Sequence, residues 1–143
     1  MNTIKVKKIH NKAILPKVAT GGSACFDIFS CDNFVISNGK VVKARTGLNF
    51  EIPPGYHVKI YPRSGMASRG IIIPNSPGVI DSDYRGEIII LLYGLFVRGH
   101  EIFQAGSRIA QGELVKGSPV SFKAVSQLSD TERGTGGLGS TGK

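Results

Sequence analysis

The chain has 143 residues and a formal charge of +8, long enough for one domain with a real core and basic enough to suit an anionic partner. No apolar run approaches the ~18 residues of a membrane helix, and the N-terminal MNTIKVKK lacks the apolar stretch of a signal peptide. Cys25 and Cys31 make neither a disulfide framework nor a zinc knuckle, so a soluble intracellular protein of cytoplasm or nucleus is expected, with Cys25 a small core residue.

Ile4 and Val6 alternate with Lys5 and Lys7, which predicts a first edge strand. Pro16 and the cluster at 20–23 (TGGS) mark a loop. Residues 24–29 (ACFDIF) are apolar apart from Asp27. Ser37, Asn38 and Gly39 signal a turn between two β-branched runs. Leu48, Phe50 and Ile52 alternate with polar neighbours, and Pro53, Pro54 and Gly55 turn the chain. Residues 56–61 alternate again, and 65–69 can form one helical turn. The apolar runs at 71–73 and 88–92 read as a hairpin across a short polar corner. Residues 101–103, 108–115 and 120–123 complete the strands. Many short strands at regular spacing predict an all-β sandwich or barrel. The domain is expected to span 1–128. Residues 129–143 form a separate tail, with five glycines in 133–142, expected to be mobile unless something orders it.

Most of the chemistry sits at the polar corner, residues 78–87 (GVIDSDYRGE). Two carboxylates, a phenol and a guanidinium fall within five residues. Asp81 and Asp83 share one face of extended backbone and Ser82 takes the other. A second cluster is Arg63, Ser64 and Gly65: a guanidinium fork for phosphate oxygens, a hydroxyl, and a residue that lets backbone approach. Gln111 ends the run 108–111 (RIAQ) and can donate to phosphate or to a neighbouring strand. Asp27 is costly in an apolar strand unless compensated. It either pairs with an arginine or faces a Mg²⁺ ion held mostly by substrate oxygens and water. The tail matches G-x-G-x-x-G and G-x-x-x-x-G-K, but the chain ends where the required helix should follow. Its backbone N–H groups, with Arg133, Ser140 and Thr141, can still wrap phosphates as a nest.

Five segments in order, 23–28 (SACFDI), 62–67 (PRSGMA), 78–87, 108–111 and 133–142 (RGTGGLGSTG), resemble those of the trimeric dUTPase family and span nearly the whole chain. The resemblance implies a jelly-roll β-sandwich and a homotrimer with active sites shared between subunits. It implies Mg²⁺-dependent hydrolysis of dUTP to dUMP and diphosphate, which supplies dUMP for thymidylate synthesis and limits uracil in DNA. On this resemblance Asp81 holds the sugar 3′-hydroxyl and activates water, and Tyr84 excludes a 2′-hydroxyl. Asn75 and the backbone of Val79 and Ile80 read uracil, and Ile89 lines the pocket. Arg63, Ser64, Gly65 and Gln111 contact phosphate. Asp27 holds the metal through water. From the tail, Arg133, Leu138, Gly139, Ser140 and Thr141 close over the substrate. Four positions depart from the family pattern, one of them Gly94, which stands where the family often has a polar residue such as Asn. Leu138 stands where an aromatic ring usually stacks on uracil. Ser107 and Gly112 flank the fourth segment, which usually begins Gly-Asp-Arg and continues with an apolar residue.

Two other functions compete. One is dCTP deamination, alone or bifunctional, on the same fold; the complete tail and the Asn75 segment favour dUTP. The other is a binding module acting through Lys5, Lys7, Lys8, Lys12 and Lys17. No aromatic residues are interleaved with these lysines, so a single-strand groove is not expected, and neither a nucleic-acid nor a membrane partner is expected.

Overall fold

β-branched and aromatic residues at period two leave the chain little choice but strands. The computed structural model describes residues 2–137. Among the described residues eleven strands carry the fold: β1 (Lys5–Lys8), β2 (Lys17–Val18), β3 (Phe26–Phe29), β4 (Phe34–Ser37), β5 (Val41–Glu51), β6 (Tyr56–Tyr61), β7 (Ile71–Ile72), β8 (Gly78–Ile80), β9 (Glu87–Gly94), β10 (His100–Phe103) and β11 (Arg108–Lys116). The expected helical turn is there as α1 (Ser64–Ala67). One sheet has the order β1-β5-β9-β7 and another the order β2-β3-β11-β6-β8, with β10-β4 as a short third ribbon. This is a jelly-roll β-sandwich, with β1 at an edge as its lysine-rich alternation predicts.

The core lies between the two larger sheets. On β9, Ile88, Ile90 and Leu92 are buried while Ile89 between them is exposed. On β6, Val58 and Ile60 point inward and His57, Lys59 and Tyr61 outward. Each fully buried side chain of this kind contributes ~1.5–3 kcal/mol. Cys31, not Cys25, is the core cysteine: Cys31 is fully buried and Cys25 only partly.

Two expectations about the strands also change. The runs at 71–73 and 88–92 do pair, with Ile71 opposite Gly94 and Ile72 opposite Tyr93. What joins them is not a short corner, because β8 leaves that sheet and pairs with β6 in the other. Residues 81–86 therefore cross between the two layers. Residues 120–123 form no strand. Val120 and Phe122 are 74% and 93% exposed, and no strand follows Lys116 among the described residues. Local β-propensity there has no neighbouring strand to meet.

Gly112 has a packing reason. It sits opposite Phe26 on β3 and Ile60 on β6, and a Cβ there would overlap the Phe26 ring. Glycine and a large ring share one slot. Gly112→Ile is therefore expected to cost about 1–3 kcal/mol by overpacking, read as a lower denaturant midpoint at unchanged slope. A variant as stable as the parent shows that the ring moves freely.

Candidate active site

The outward face of the five-stranded sheet carries two groups of polar residues, one at each end. At the first end, β3 presents Asp27, β11 presents Gln111, and the chain leaving β6 presents Arg63 and Ser64. Asp27 and Gln111 are direct cross-strand partners, and Gln111 also faces Tyr61. Ser23, Asp27, Arg63, Ser64, Arg108 and Gln111 line a cleft of about 360 Å³. Gly65 follows Ser64 in the first turn of α1 and is exposed.

Asp27 is only 15% exposed, and the structure pairs it. Arg63 Nε donates to its Oδ1 at 3.0 Å, and Arg108 Nη1 lies 3.5 Å from Oδ2. Two guanidinium groups against one carboxylate leave a positive surplus, so the cleft suits an anion. Each carboxylate oxygen keeps a lone pair beyond its arginine contact. That donor set fits a hard cation held through water rather than a direct protein cage. Gln111 Nε2 donates to the Pro62 carbonyl at 2.9 Å, which braces the turn that presents Arg63.

Arg108 is the residue that sequence reasoning left out of the site. Strict alternation puts Arg108 and Gln111 on opposite faces of a strand. The register shifts between Arg108 and Ala110, so Ile109 and Ala110 are both buried and the two polar residues line one cleft. A β-bulge does this, and the pair of small and apolar residues was its only trace in the sequence.

At the second end, Asp81 and Asp83 line an open cavity of about 640 Å³ with His57, Val79 and Gly117. The corner is held by its own polar groups. Tyr84 N–H donates to the Asp81 carbonyl at 3.2 Å, and Asn49 Nδ2 to the Arg85 carbonyl at 2.6 Å. Arg85 Nη1 donates to the carbonyls of Ser82 and Tyr84 at 2.7 and 3.0 Å. Tyr84 Oη donates to the Glu87 carbonyl at 3.1 Å, which fixes an exposed ring. Asn75 is exposed just before β8, and Ile80 is half-buried at its end. Ile89 projects from β9 on the other sheet. Arg133 is exposed, with its Nε donating to the Gly136 carbonyl at 3.0 Å. Leu138, Gly139, Ser140 and Thr141 lie outside the described residues.

The two ends do not meet within one chain. Val58 pairs with Ile80 and Ile60 with Gly78, so Asp81 lies past the His57 end of β6 while Arg63 follows its other end. Six residues of strand separate these positions by about 20 Å at ~3.3 Å per residue. Between them, Tyr61 Oη donates to Glu113 Oε2 at 3.2 Å. Burial, then the Glu113 carboxylate, pushes the Tyr61 phenol up, so it stays a neutral donor.

An arginine-rich anion cleft on a jelly roll, with a carboxylate-bearing crossing loop, defines a phosphate-handling β-sandwich. The dUTPase family model matches residues 11–142, and the chain belongs to that family. The deoxyuridine 5′-triphosphate nucleotidohydrolase of Nautilia profundicola is 45% identical over 141 residues, covering 98% of this chain and 99% of the relative. The same enzyme of Helicobacter pylori strain J99 is 41% identical over 140 residues, covering 97% and 96%. Among solved structures, the dUTPase of Staphylococcus bacteriophage 80alpha with dUPNHPP superposes with a TM-score of 0.90, at 26% identity and full coverage of both chains. The dUTPase of phage phi11 of S. aureus, whose structure concerns a structural Mg(II) ion, gives 0.82 at 22% identity, covering 88% of this chain and 98% of that one.

Proposed function

We propose that this chain is a dUTP diphosphatase that hydrolyses dUTP to dUMP and diphosphate. Family membership over residues 11–142 supports the reaction. The observation that carries the site is the separation of Asp81 and Arg63 along β6. The two residues line separate cavities at opposite ends of β6, which supports a working site that draws its halves from different copies. A homotrimer with shared sites is the assembly proposed, and it explains why each cavity alone is open.

In this reading Arg63 and Arg108 neutralise the triphosphate while Ser64, Gly65 and Gln111 orient it, because phosphoryl transfer needs positioning and charge neutralisation above all. Mg²⁺, when bound to the phosphate oxygens and water, adds charge neutralisation, and Asp27 offers its free lone pairs to one of those waters. Asp81 of another copy accepts the 3′-hydroxyl and takes a proton from the attacking water. Asn75 with the backbone of Val79 and Ile80 reads uracil, leaving no room for a purine and mismatching the amino group of cytosine; Ile89 is assigned to the pocket wall. Among the described residues no helix is long and apolar enough to cross a membrane; a soluble intracellular enzyme is proposed.

The test is nucleotide hydrolysis with and without Mg²⁺, using dUTP against dTTP, dCTP and UTP. Conversion of dCTP to dUTP or dUMP with release of ammonia overturns the assignment in favour of a deaminase. Salt-sensitive DNA binding with no dUTP turnover overturns it in favour of a binding module.

Tyr84 is assigned to sugar selection. Its ring is fixed through the Glu87 carbonyl, so it can fill the space a 2′-hydroxyl needs. Tyr84→Ala is expected to narrow the dUTP-to-UTP ratio of kcat/KM and to raise KM for dUTP. A ratio unchanged from the parent removes Tyr84 from this role.

Residues 129–143 are proposed to close over a neighbouring site, with Arg133, Leu138, Gly139, Ser140 and Thr141 meeting the substrate. Excluding bulk water strengthens the electrostatics at the phosphates. Truncation before Arg133 is expected to leave the melting temperature of the sandwich nearly unchanged and to cut dUTP hydrolysis by ~10-fold or more. Normal turnover by the truncated chain rules out this closure.

A further inference from the structure

We propose that His10, Cys31 and Asp32 form a binding site for one divalent cation of the zinc class, separate from the nucleotide cavities. One ligand atom from each lies within 4.8 Å of the others. None of the three lines the cleft of Asp27 or the cavity of Asp81. Sulfur, nitrogen and oxygen donors together suit Zn²⁺ or Co²⁺ better than Mg²⁺.

The place is built by backbone contacts. Ile9 N–H donates to the Gly47 carbonyl at 2.8 Å, and Cys31 N–H to the Arg45 carbonyl at 2.9 Å. Ala13 N–H closes a turn onto the His10 carbonyl at 3.1 Å. Gly47 has φ +67°, and a Cβ there would collide with the His10 Cβ and crowd the Cys31 Sγ at 3.3 Å. Glycine is what lets the His10 turn settle against Cys31.

Charge closes around a divalent ion. Arg45 Nε donates to both oxygens of Glu87 at 3.2 and 3.1 Å, so that pair is neutral on its own. Asp32 and the Cys31 thiolate then supply the two negative charges that balance M²⁺. Arg45 Nη1, 3.5 Å from Asp32 Oδ2, orients the carboxylate from behind. Its other oxygen, Oδ1, lies 3.7 Å from His10 Nε2. On binding, the Sγ–H proton leaves to solvent as the Sγ–metal bond forms, and no electron is transferred. The His10 proton moves to Nδ1, and the Lys12 N–H that met Nδ1 at 3.2 Å turns to water. The cation ties the N-terminal segment to the link between β3 and β4, leaving a position for water.

Co²⁺ titration of the full chain tests this through the thiolate-to-cobalt charge-transfer band. One equivalent is expected to raise the band in the parent and in Cys25→Ser, and none in Cys31→Ser. His10→Ala, at a half-exposed position, keeps the fold and is expected to weaken binding beyond the ~10–100-fold that loss of an outer partner costs. Zn²⁺ is expected to raise the melting temperature of the parent and not of His10→Ala. No band in the parent, a band that survives Cys31→Ser, or equal affinity in His10→Ala overturns the site.

Discussion

Asp81→Asn is expected to fold, assemble and bind dUTP, and to lose turnover by ~10²–10⁴-fold, the usual contribution of a positioned general base. The amide keeps the shape of the carboxylate and can still meet a sugar hydroxyl, but it cannot take a proton from water. The corner itself should not change. Its turn is closed by the Asp81 carbonyl and its crossing by Arg85 and Asn49, and none of these bonds uses the Asp81 side chain. The exposed position adds no burial cost. The loss should therefore fall on kcat, with the dissociation constant for a non-hydrolysable analogue close to that of the parent. Asp83→Asn is the control, because it lines the same cavity two residues on. If Asp81→Asn hydrolyses dUTP within a few-fold of the parent, or Asp83→Asn loses as much, the base is elsewhere.

Much of the fold could be read from residue order. Period-two burial on β6 and β9 follows the alternation of the sequence, and the proline- and glycine-marked turns fall where strands end. Strand partners could not be read that way. The crossing of 81–86 between layers depends on β8 finding β6, a pairing that no local signal specifies. Residues 120–123 failed for the same reason, since β-propensity reports fit to a neighbour. At the site, residue types pointed to Asp27, Arg63, Ser64 and Gln111, and the cleft brings these four together. For Asp27 the sequence left a metal and an arginine open; the structure supplies two arginines and leaves lone pairs over. Arg108 was hidden by the bulge that turns it. The cluster at Cys31 was invisible for a different reason. Cysteine spacing looks for a second cysteine, whereas His10 reaches Cys31 only through the close approach at Gly47.

Mixing two inactive variants tests the division of the site. Arg63→Ala removes a charged contact to phosphate, worth ~1.5–3 kcal/mol, and leaves Asp27 with Arg108 alone. By itself it should be slow, as Asp81→Asn is. Neither defect lies in the core, so both chains should fold and exchange on co-refolding. If Asp81 and Arg63 serve one site from the same chain, every chain in the mixture carries a defect, and the activity is the mean of the two variants. If they come from different chains, some sites draw Asp81 from an Arg63→Ala chain and Arg63 from an Asp81→Asn chain. Random association in a closed ring of three makes about a quarter of sites intact. Activity should then rise far above either variant, towards a quarter of the parent. The prediction follows from the strand register: at ~3.3 Å per residue, the run from the His57 end of β6 to Arg63 is about 20 Å, and Asp81 and Arg63 line separate cavities. A mixture that stays at the mean of its components, with subunit exchange verified by mass, places both residues in one chain's site and overturns the shared assembly.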